Sequence, residues 1–316
     1  MLKYVIKRIL VSILVFIGIT FLVFVMSNLA PGGPLDLLTA DADLSPEAYE
    51  ALQVALGLDK PVLTRYGIWL GDFLKGDMGT SYRFNSPVSG LISVRIGPTL
   101  LLMGSSLGLA LLVAIPLGIL VSVKPYGKLD YLSNAFAFLG QAIPTFFYSL
   151  VLVYIFSAKL GWLPMLGMNT TGETGFGDTV KHLVMPVMVL SWHQMASFIR
   201  YTRASMLEVR NAEHVKTARS KGLPTGKVLI KHIFRNALIP VVTQIGLQVP
   251  LLIGGAVVVE QIFSWPGIGS LLINSITYRD YPVIMGVTCL IAVAVLATNL
   301  LLDIIYARLD PRISYQ

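Results

Sequence analysis

Six stretches of this chain hold no Asp, Glu, Lys or Arg and are apolar throughout: residues 9–35, 96–123, 131–158, 183–199, 236–259 and 281–302. A helix needs about 20 residues to cross the hydrocarbon layer of a membrane, so the windows predict six transmembrane helices. Strands are excluded. A membrane barrel alternates apolar and polar positions, and an isolated segment satisfies its own backbone only as a helix. A further uncharged run, 261–278, contains Ser264-Trp265-Pro266-Gly267-Ile268-Gly269 and scattered Asn, Ser and Thr. Its Pro-Gly turn and polar groups predict a re-entrant or interfacial piece, not a seventh span.

Composition closes the soluble alternative. Hydrophobic residues make up 55% and charged residues 13% of the chain, against about 25% charged in soluble domains. Lys3, Lys7 and Arg8 precede the first window as they would precede a signal sequence. That window is too long and lacks a small-x-small cleavage pattern, so an uncleaved first span is expected. The single cysteine, Cys289, allows neither an internal disulfide nor a thiolate zinc site.

Charge sets the orientation. Segments 1–8, 124–130, 200–235 and 303–316 carry 16 of the 24 Lys and Arg residues, and the alternate segments carry 8. The long 36–95 segment holds 5 of those 8 and, being long, has little say in orientation. Both termini are therefore expected in the cytoplasm. The expected division is a cytoplasmic N-terminus with the first span (1–35), an extracytoplasmic loop domain (36–95), a core domain with the remaining spans (96–302) and a cytoplasmic tail (303–316). The net charge of +7 then marks a cytoplasmic surface facing anionic lipid, not a nucleic-acid site.

Two polar segments have legible local structure. In 36–95, Ser45-Pro46-Glu47 reads as a helix start running to about Leu56, with Gly57 as its stop, and 76–81 reads as a tight turn. In 200–235, Asn211 is the expected N-cap of a helix over 212–221, with Glu213 in its first turn and Arg219 and Lys221 in its last. Gly222 fits the C′ stop, and Thr225 is expected to cap a second helix toward Asn236. Val215, Ala218 and Gly222 share one side. That small patch suits docking into a partner's groove or resting on lipid, and the residues alone do not choose.

The run Thr217-Ala218-Arg219-Ser220-Lys221-Gly222-Leu223, followed by His232-Ile233-Phe234-Arg235-Asn236-Ala237-Leu238-Ile239-Pro240, resembles the EAA loop of ABC-importer permeases. Lys216 and Thr217 stand where the general pattern has Glu and its first Ala, and Arg235 stands where it has Pro. That variant resembles the oligopeptide, dipeptide and nickel branch. Agreement extends along the chain through Met1-Leu2-Lys3-Tyr4, Ala30-Pro31-Gly32, Gly76-Asp77-Met78-Gly79-Thr80-Ser81, Glu260-Gln261-Ile262-Phe263-Ser264-Trp265-Pro266-Gly267 and Ala307-Arg308-Leu309-Asp310-Pro311. The resemblance implies an all-α type I ABC-importer membrane domain, the first of two permeases, in a prokaryotic inner membrane. It also implies a second permease subunit, two cytoplasmic ATPases that bind ATP and magnesium, and an extracytoplasmic substrate-binding protein. The expected contact with the ATPases is Val215, Thr217, Ala218, Arg219, Lys221 and Gly222.

No cofactor chemistry is expected in the chain itself. Gly226-Lys227 lacks the first glycine and the Ser/Thr of a phosphate-binding loop. Gly104-Ser105-Ser106-Leu107-Gly108 spells a nucleophile-elbow pattern, but it lies inside an apolar helix, where it reads instead as Gly-x-x-x-Gly helix packing. Within the windows, the candidates for lining a solute path are Gln141, His193, Gln244 and Gln248. Gln244 and Gln248 share a helix face at i, i+4 spacing. His193 serves equally as a neutral imidazole bonded near a membrane boundary, and the glutamines as helix glue. A secondary transporter would need intramembrane charges to bind its coupling ion, and the windows hold no Asp, Glu, Lys or Arg.

Overall fold

Proline and glycine decide where these helices begin, bend and stop. The computed structural model describes the backbone of residues 2–29, 35, 45–173, 175–254 and 256–309, with side chains for 6–29, 35, 45–173, 175–238, 240–248 and 256–302. The fold is all-α. Among the described residues the one β contact is an isolated antiparallel bridge between Thr80 and Pro87. In chain order the helices are α1 (Leu2–Leu29), α2 (Pro46–Ala55), α3 (Val62–Leu74), α4 (Val88–Val123) and α5 (Lys128–Ala142). Next come α6 (Thr145–Leu152, continuing as π-helix Val153–Lys159), α7 (Phe176–Arg210), α8 (Glu213–Ser220) and α9 (Thr225–Lys227, continuing as π-helix Val228–Phe234). The last are α10 (Arg235–Gly254), α11 (Val257–Ile262), α12 (Ile268–Thr277) and α13 (Tyr281–Leu309).

Among the described residues, Ile6–Leu29, Val88–Val123 and Tyr281–Leu302 are long and apolar enough to cross a membrane, and two bent pairs raise the count to at most 5. Window 131–158 was expected as one continuous helix, but its two halves meet at 100°. Pro144 is the cause. It brings no N–H and forces Ile143 into an extended backbone, ψ 126, so the α-helical ladder stops there. The other bent pair, Thr225–Leu238 with Pro240–Gln248, turns by 47°. The expected fourth window lies inside α7, yet its 17 uncharged residues are shut in between Lys181 and Arg200. That falls short of about 20 residues, and α7 is not among the helices apolar enough by composition. Helix α12 has 10 residues, about 15 Å of rise, which is too short to span.

Contacts divide the chain into two units. The first comprises Met1–Thr99, Ile253–Val257 and Pro266–Gln316. Its helix α2 starts as expected, with Ser45 Oγ accepting the Ala48 N–H at 3.3 Å and Pro46 at the first helical position. Helix α3 lies on α1 through aromatic packing. The Tyr66 ring meets Phe21 and Phe24 edge-on and stacks on Trp69, while its hydroxyl lies 3.0 Å from Thr20 Oγ1. A second apolar cluster joins Val88 and Ile92 of α4 to Ile268 and Leu271 of α12 and Val283 and Val287 of α13.

Asp280, fully buried ahead of α13, fixes the turn that precedes α4. It accepts from the Ser81 hydroxyl and from the Tyr82 and Arg83 amides, the latter two at 3.0 and 3.4 Å.

The second unit comprises Leu100–Leu252 and Val258–Trp265. Helices α5 and α6 both pack on α7. Ala110 and Ala114 of α4 meet Phe198 and Ile199 of α7 in a buried cluster, and small residues there let the helices approach. Among the described residues, Gly104 and Gly108 do not serve that role. Nothing lies within 4 Å of a Cβ built at either.

Candidate coupling site

Helix α8 begins one residue later than Asn211 predicts. Asn211 ends α7 at φ −93, and Ala212 takes the extended N-cap position of α8 without a side-chain cap bond. Pro224 likewise takes the cap position expected for Thr225. In place of a cap, Lys216 Nζ pairs with Glu213 Oε1 at 2.7 Å and Thr217 Oγ1 donates to the Glu213 carbonyl at 3.0 Å. Both bonds lie at the surface, where an i, i+3 pair contributes little.

The apolar side of α8 faces inward. Val215 is fully buried and Ala218 nearly so, packed with Met206 of α7, Val228 and Ile233 of the π-helical turn, and Ala237 of α10. Val215 and Ala218 are thus turned away from the surface on which a docking patch or a lipid contact would form. Two small apolar side chains at i, i+3 spacing suffice to seat a short helix on its own chain, and the surface left outside is polar. Lys216, Thr217, Arg219, Ser220, Lys221 and Gly222 are exposed.

Gly222 ends the helix at φ +75, its N–H donating to the Arg219 carbonyl at 2.9 Å. A left-handed residue at this position closes the helix, and glycine adopts it without penalty.

His214, which the sequence pattern did not single out, braces this arrangement with His232 and Asn236 of the run quoted above. His214 Nε2 lies 3.3 Å from the His232 carbonyl and 3.3 Å from Asn236 Nδ2, which also donates to the His232 carbonyl at 2.8 Å. Helix α8 is thereby tied to the π-helical turn that follows it. Beside α8 a cavity of about 430 Å³ is lined by residues that include Arg210, Arg219, Leu223, Val228 and Ile233.

Of the pathway candidates, Gln141 and His193 are brought together and the α10 glutamines are not. His193 Nδ1 donates to the Gly140 carbonyl at 3.2 Å, and Gln141 Nε2 donates to Ser197 Oγ at 3.1 Å. Gln141 and His193 are exposed in the isolated chain. Gln244 and Gln248 are half-buried on α10, and among the described residues no hydrogen bond links them to Gln141 or His193. Gln194, one residue from His193, is buried with its Oε1 unpartnered.

A bidentate ion pair in this unit joins Asp130 to Arg203. Arg203 Nε and Nη2 donate to Asp130 Oδ1 and Oδ2, each at 2.7 Å, in a fork-on-carboxylate geometry. Asp130 also accepts from the Tyr126 amide at 2.8 Å and from Asn134 Nδ2 at 2.9 Å. Its side chain is 3% exposed, and it precedes the apolar run 131–158. The Arg203 hydrogen bonds hold the Asp130 carboxyl below the usual carboxylate range, against the opposing effect of burial. No short-range spacing announces a pair 73 residues apart.

Long apolar helices, broken spans and a polar helix seated at the surface together define a multi-pass membrane protein. Residues 114–315 match the family described as binding-protein-dependent transport system inner membrane components, and residues 1–103 match the N-terminal region of such membrane components. Over 317 residues, covering 100% of both chains, the protein is 46% identical to the oligopeptide transport system permease protein AppB of Bacillus subtilis. It is 36% identical to the dipeptide transport system permease protein DppB of Escherichia coli K12 over 338 residues, with 100% of each chain covered. It is 38% identical to the glutathione transport system permease protein GsiC of Pectobacterium atrosepticum over 316 residues, again covering 100% of both. The chain belongs to the family of binding-protein-dependent transport system inner membrane components, and it is a multi-pass protein of the bacterial inner membrane.

Proposed function

We propose that this chain is a permease subunit of an ATP-binding-cassette importer and forms half of a translocation path for di- or oligopeptides. The observation that carries this reading is full-length similarity, at 36–46% identity, to proteins named as oligopeptide and dipeptide permeases. The second permease, two ATPases holding ATP and magnesium, and an extracytoplasmic binding protein complete the importer. The chain itself holds no cofactor and hydrolyses nothing.

In this reading the chain has six spans. Helix α7 supplies the fourth, its short apolar stretch shielded by neighbouring helices, and 261–278 is re-entrant or interfacial. Residues 36–95 form the extracytoplasmic loop domain, 96–302 the core permease domain and 303–316 the cytoplasmic tail. Segment 200–235 is the coupling loop, and α8 docks the ATPase through exposed Thr217, Arg219, Lys221 and Gly222. Val215 and Ala218 act indirectly, by seating α8. Gln141, His193, Gln244 and Gln248 line the path. The glutathione permease among the relatives favours a second reading, in which another small solute is carried.

The test has two parts. Liposomes holding the complete complex are loaded with ATP-regenerating buffer, and uptake of labelled trialanine is followed. Uptake dependent on ATP and on the binding protein is expected, and its absence with glutathione accepted in its place favours the second reading. Topology is tested with single cysteines at Ser45, Thr170 and Ser220 in a Cys289→Ala background and an impermeant thiol reagent applied outside. Positions 45 and 170 are expected to label and position 220 to stay protected; the reverse pattern refutes the orientation.

A further inference from the structure

Helices α5 and α7 run antiparallel and are fastened at two levels. At one level sit the His193–Gly140 and Gln141–Ser197 bonds, with the Trp192 indole donating to the Phe136 carbonyl at 3.2 Å and stacking on the Phe136 ring. At the other level, among the described residues, the direct hydrogen bonds between the two helices are those of the Asp130–Arg203 fork, beside which the Tyr126 ring centroid lies 5.8 Å from the Arg203 guanidinium carbon. Arg203 lies on α7 just ahead of α8, and α8 is tied onward to His232 and Asn236. A displacement of α8 thus reaches α7 directly; it reaches the start of α5 through the Asp130 fork and, less directly, through the end of α4, where Arg210 Nη1 donates to the Ser122 carbonyl at 3.4 Å.

We propose that Asp130 and Arg203 are positioning residues for transport, a clamp that makes α5 move with α7 when the coupling helix moves. The chemistry favours such a role over plain stabilisation. A nearly buried ion pair offsets its own desolvation at best, and an uncharged pair of similar size often serves stability as well. What the fork adds is a fixed angle and register between two helices, since two parallel N–H···O bonds hold a planar guanidinium against a planar carboxylate. The helices so held carry Gln141 and His193, and Pro144 bends the chain immediately after α5. With the clamp cut, α7 follows the ATPases while the start of α5 lags, and ATP is hydrolysed without a completed transport step.

This inference rests on α8 being the coupling element. The test uses the complete complex in liposomes with trialanine as solute and compares the wild type with the Asp130→Asn, Arg203→Met double variant. That variant leaves no buried charge unpaired and keeps an acceptor for the Tyr126 amide. Subunit yield and thermal unfolding are expected near wild type, while ATP consumed per solute imported rises about 3-fold or more, within the range of coupling mutations. Arg203→Lys, which keeps charge but loses the fork, is expected to fall between. A wild-type ratio in the double variant overturns the clamp; should that variant fail to assemble, a wild-type ratio in Arg203→Lys does so. Wild-type uptake in Gly222→Val would instead overturn the reading of α8, so the two failures are distinguishable.

Discussion

Gly118 lies against Thr202 with no room for a side chain: a Cβ built at Gly118 stands 2.6 Å from the Thr202 Cβ and 3.3 Å from the Ile199 carbonyl oxygen. Backbone and a β-branched residue cannot yield as a flexible side-chain end would. The Gly118→Ala substitution is therefore expected to force α4 and α7 apart, at a cost of about 1–3 kcal/mol. Thermal unfolding of the purified protein in detergent measures it. Gly108→Ala is the matched control, because nothing lies within 4 Å of its Cβ. Equal midpoints for the two variants would show that α4 and α7 do not meet at Gly118.

Asp280 organises the turn over residues 81–83 from across the first unit. Truncation to alanine removes the acceptor for two backbone amides and the Ser81 hydroxyl at a fully buried position. The Ser81 hydroxyl, at a buried contact, costs about 1–3 kcal/mol when orphaned, and the part-buried Tyr82 and Arg83 amides cost less. Asp280→Ala is expected to speed hydrogen exchange and proteolysis across 76–87 while leaving α5 to α7 unchanged. Uniform protection across both regions would place the role of Asp280 elsewhere.

How much of this was legible in the sequence follows from the range of each interaction. Local chemistry read well: Ser45 caps α2, Gly222 takes the left-handed stop, and 76–81 turns at Gly76 and Gly79, both with positive φ. The all-helical fold followed from apolar windows alone. Where tertiary packing decides, the pattern fell short. Asn211 is as good a cap as Ser45, yet it ends α7 and Ala212 starts α8. Val215 and Ala218 looked too sparse for a core because the residues that bury them, Met206, Ile233 and Ala237, lie on other elements. Pro144 was visible, but sequence alone does not say whether a proline kinks a span gently or turns it by 100°. The Asp130–Arg203 fork was out of reach, since both residues look like ordinary loop charges until the helices pair.

The pathway candidates fall into two groups by their surroundings. His193 and Gln141 are hydrogen-bonded at the α5–α7 contact, so His193→Leu removes a tie as well as a polar surface. Gln248 lies half-buried on α10, and Gln248→Leu changes polarity with little loss of contact. Both substitutions are expected to alter the KM for solute uptake while subunit yield stays near wild type, because polar groups at membrane depth favour an aqueous surface. Unchanged uptake kinetics at unchanged yield would assign these residues to helix packing.

Gly222 gives the sharpest test of the coupling loop, because its cost is conformational and nothing else. Its φ of +75 lies in the left-handed region, and no atom of the described residues lies within 4 Å of a Cβ built there. A side chain therefore meets open space and is penalised only by the backbone, by about 1–2 kcal/mol for an L-residue. A β-branched residue is worse placed there than alanine. In Gly222→Val the cheapest relief is to unwind the last turn of α8, where Lys221 and Gly222 donate to the Thr217 and Arg219 carbonyls. That moves Arg219 and Lys221, the exposed basic residues next to the glycine, while Val215 and Ala218 continue to seat the first turn. Membrane insertion and subunit yield are expected to stay normal, with ATPase association weakened or hydrolysis no longer stimulated by loaded binding protein. Gly222→Ala is expected to be milder. Arg219→Glu is expected to weaken association at unchanged backbone geometry, since it reverses charge on a residue the fold does not bury. Reconstituted complexes read for yield, stimulated hydrolysis and uptake distinguish these outcomes, and full uptake by Gly222→Val at normal yield would show that coupling runs through another segment.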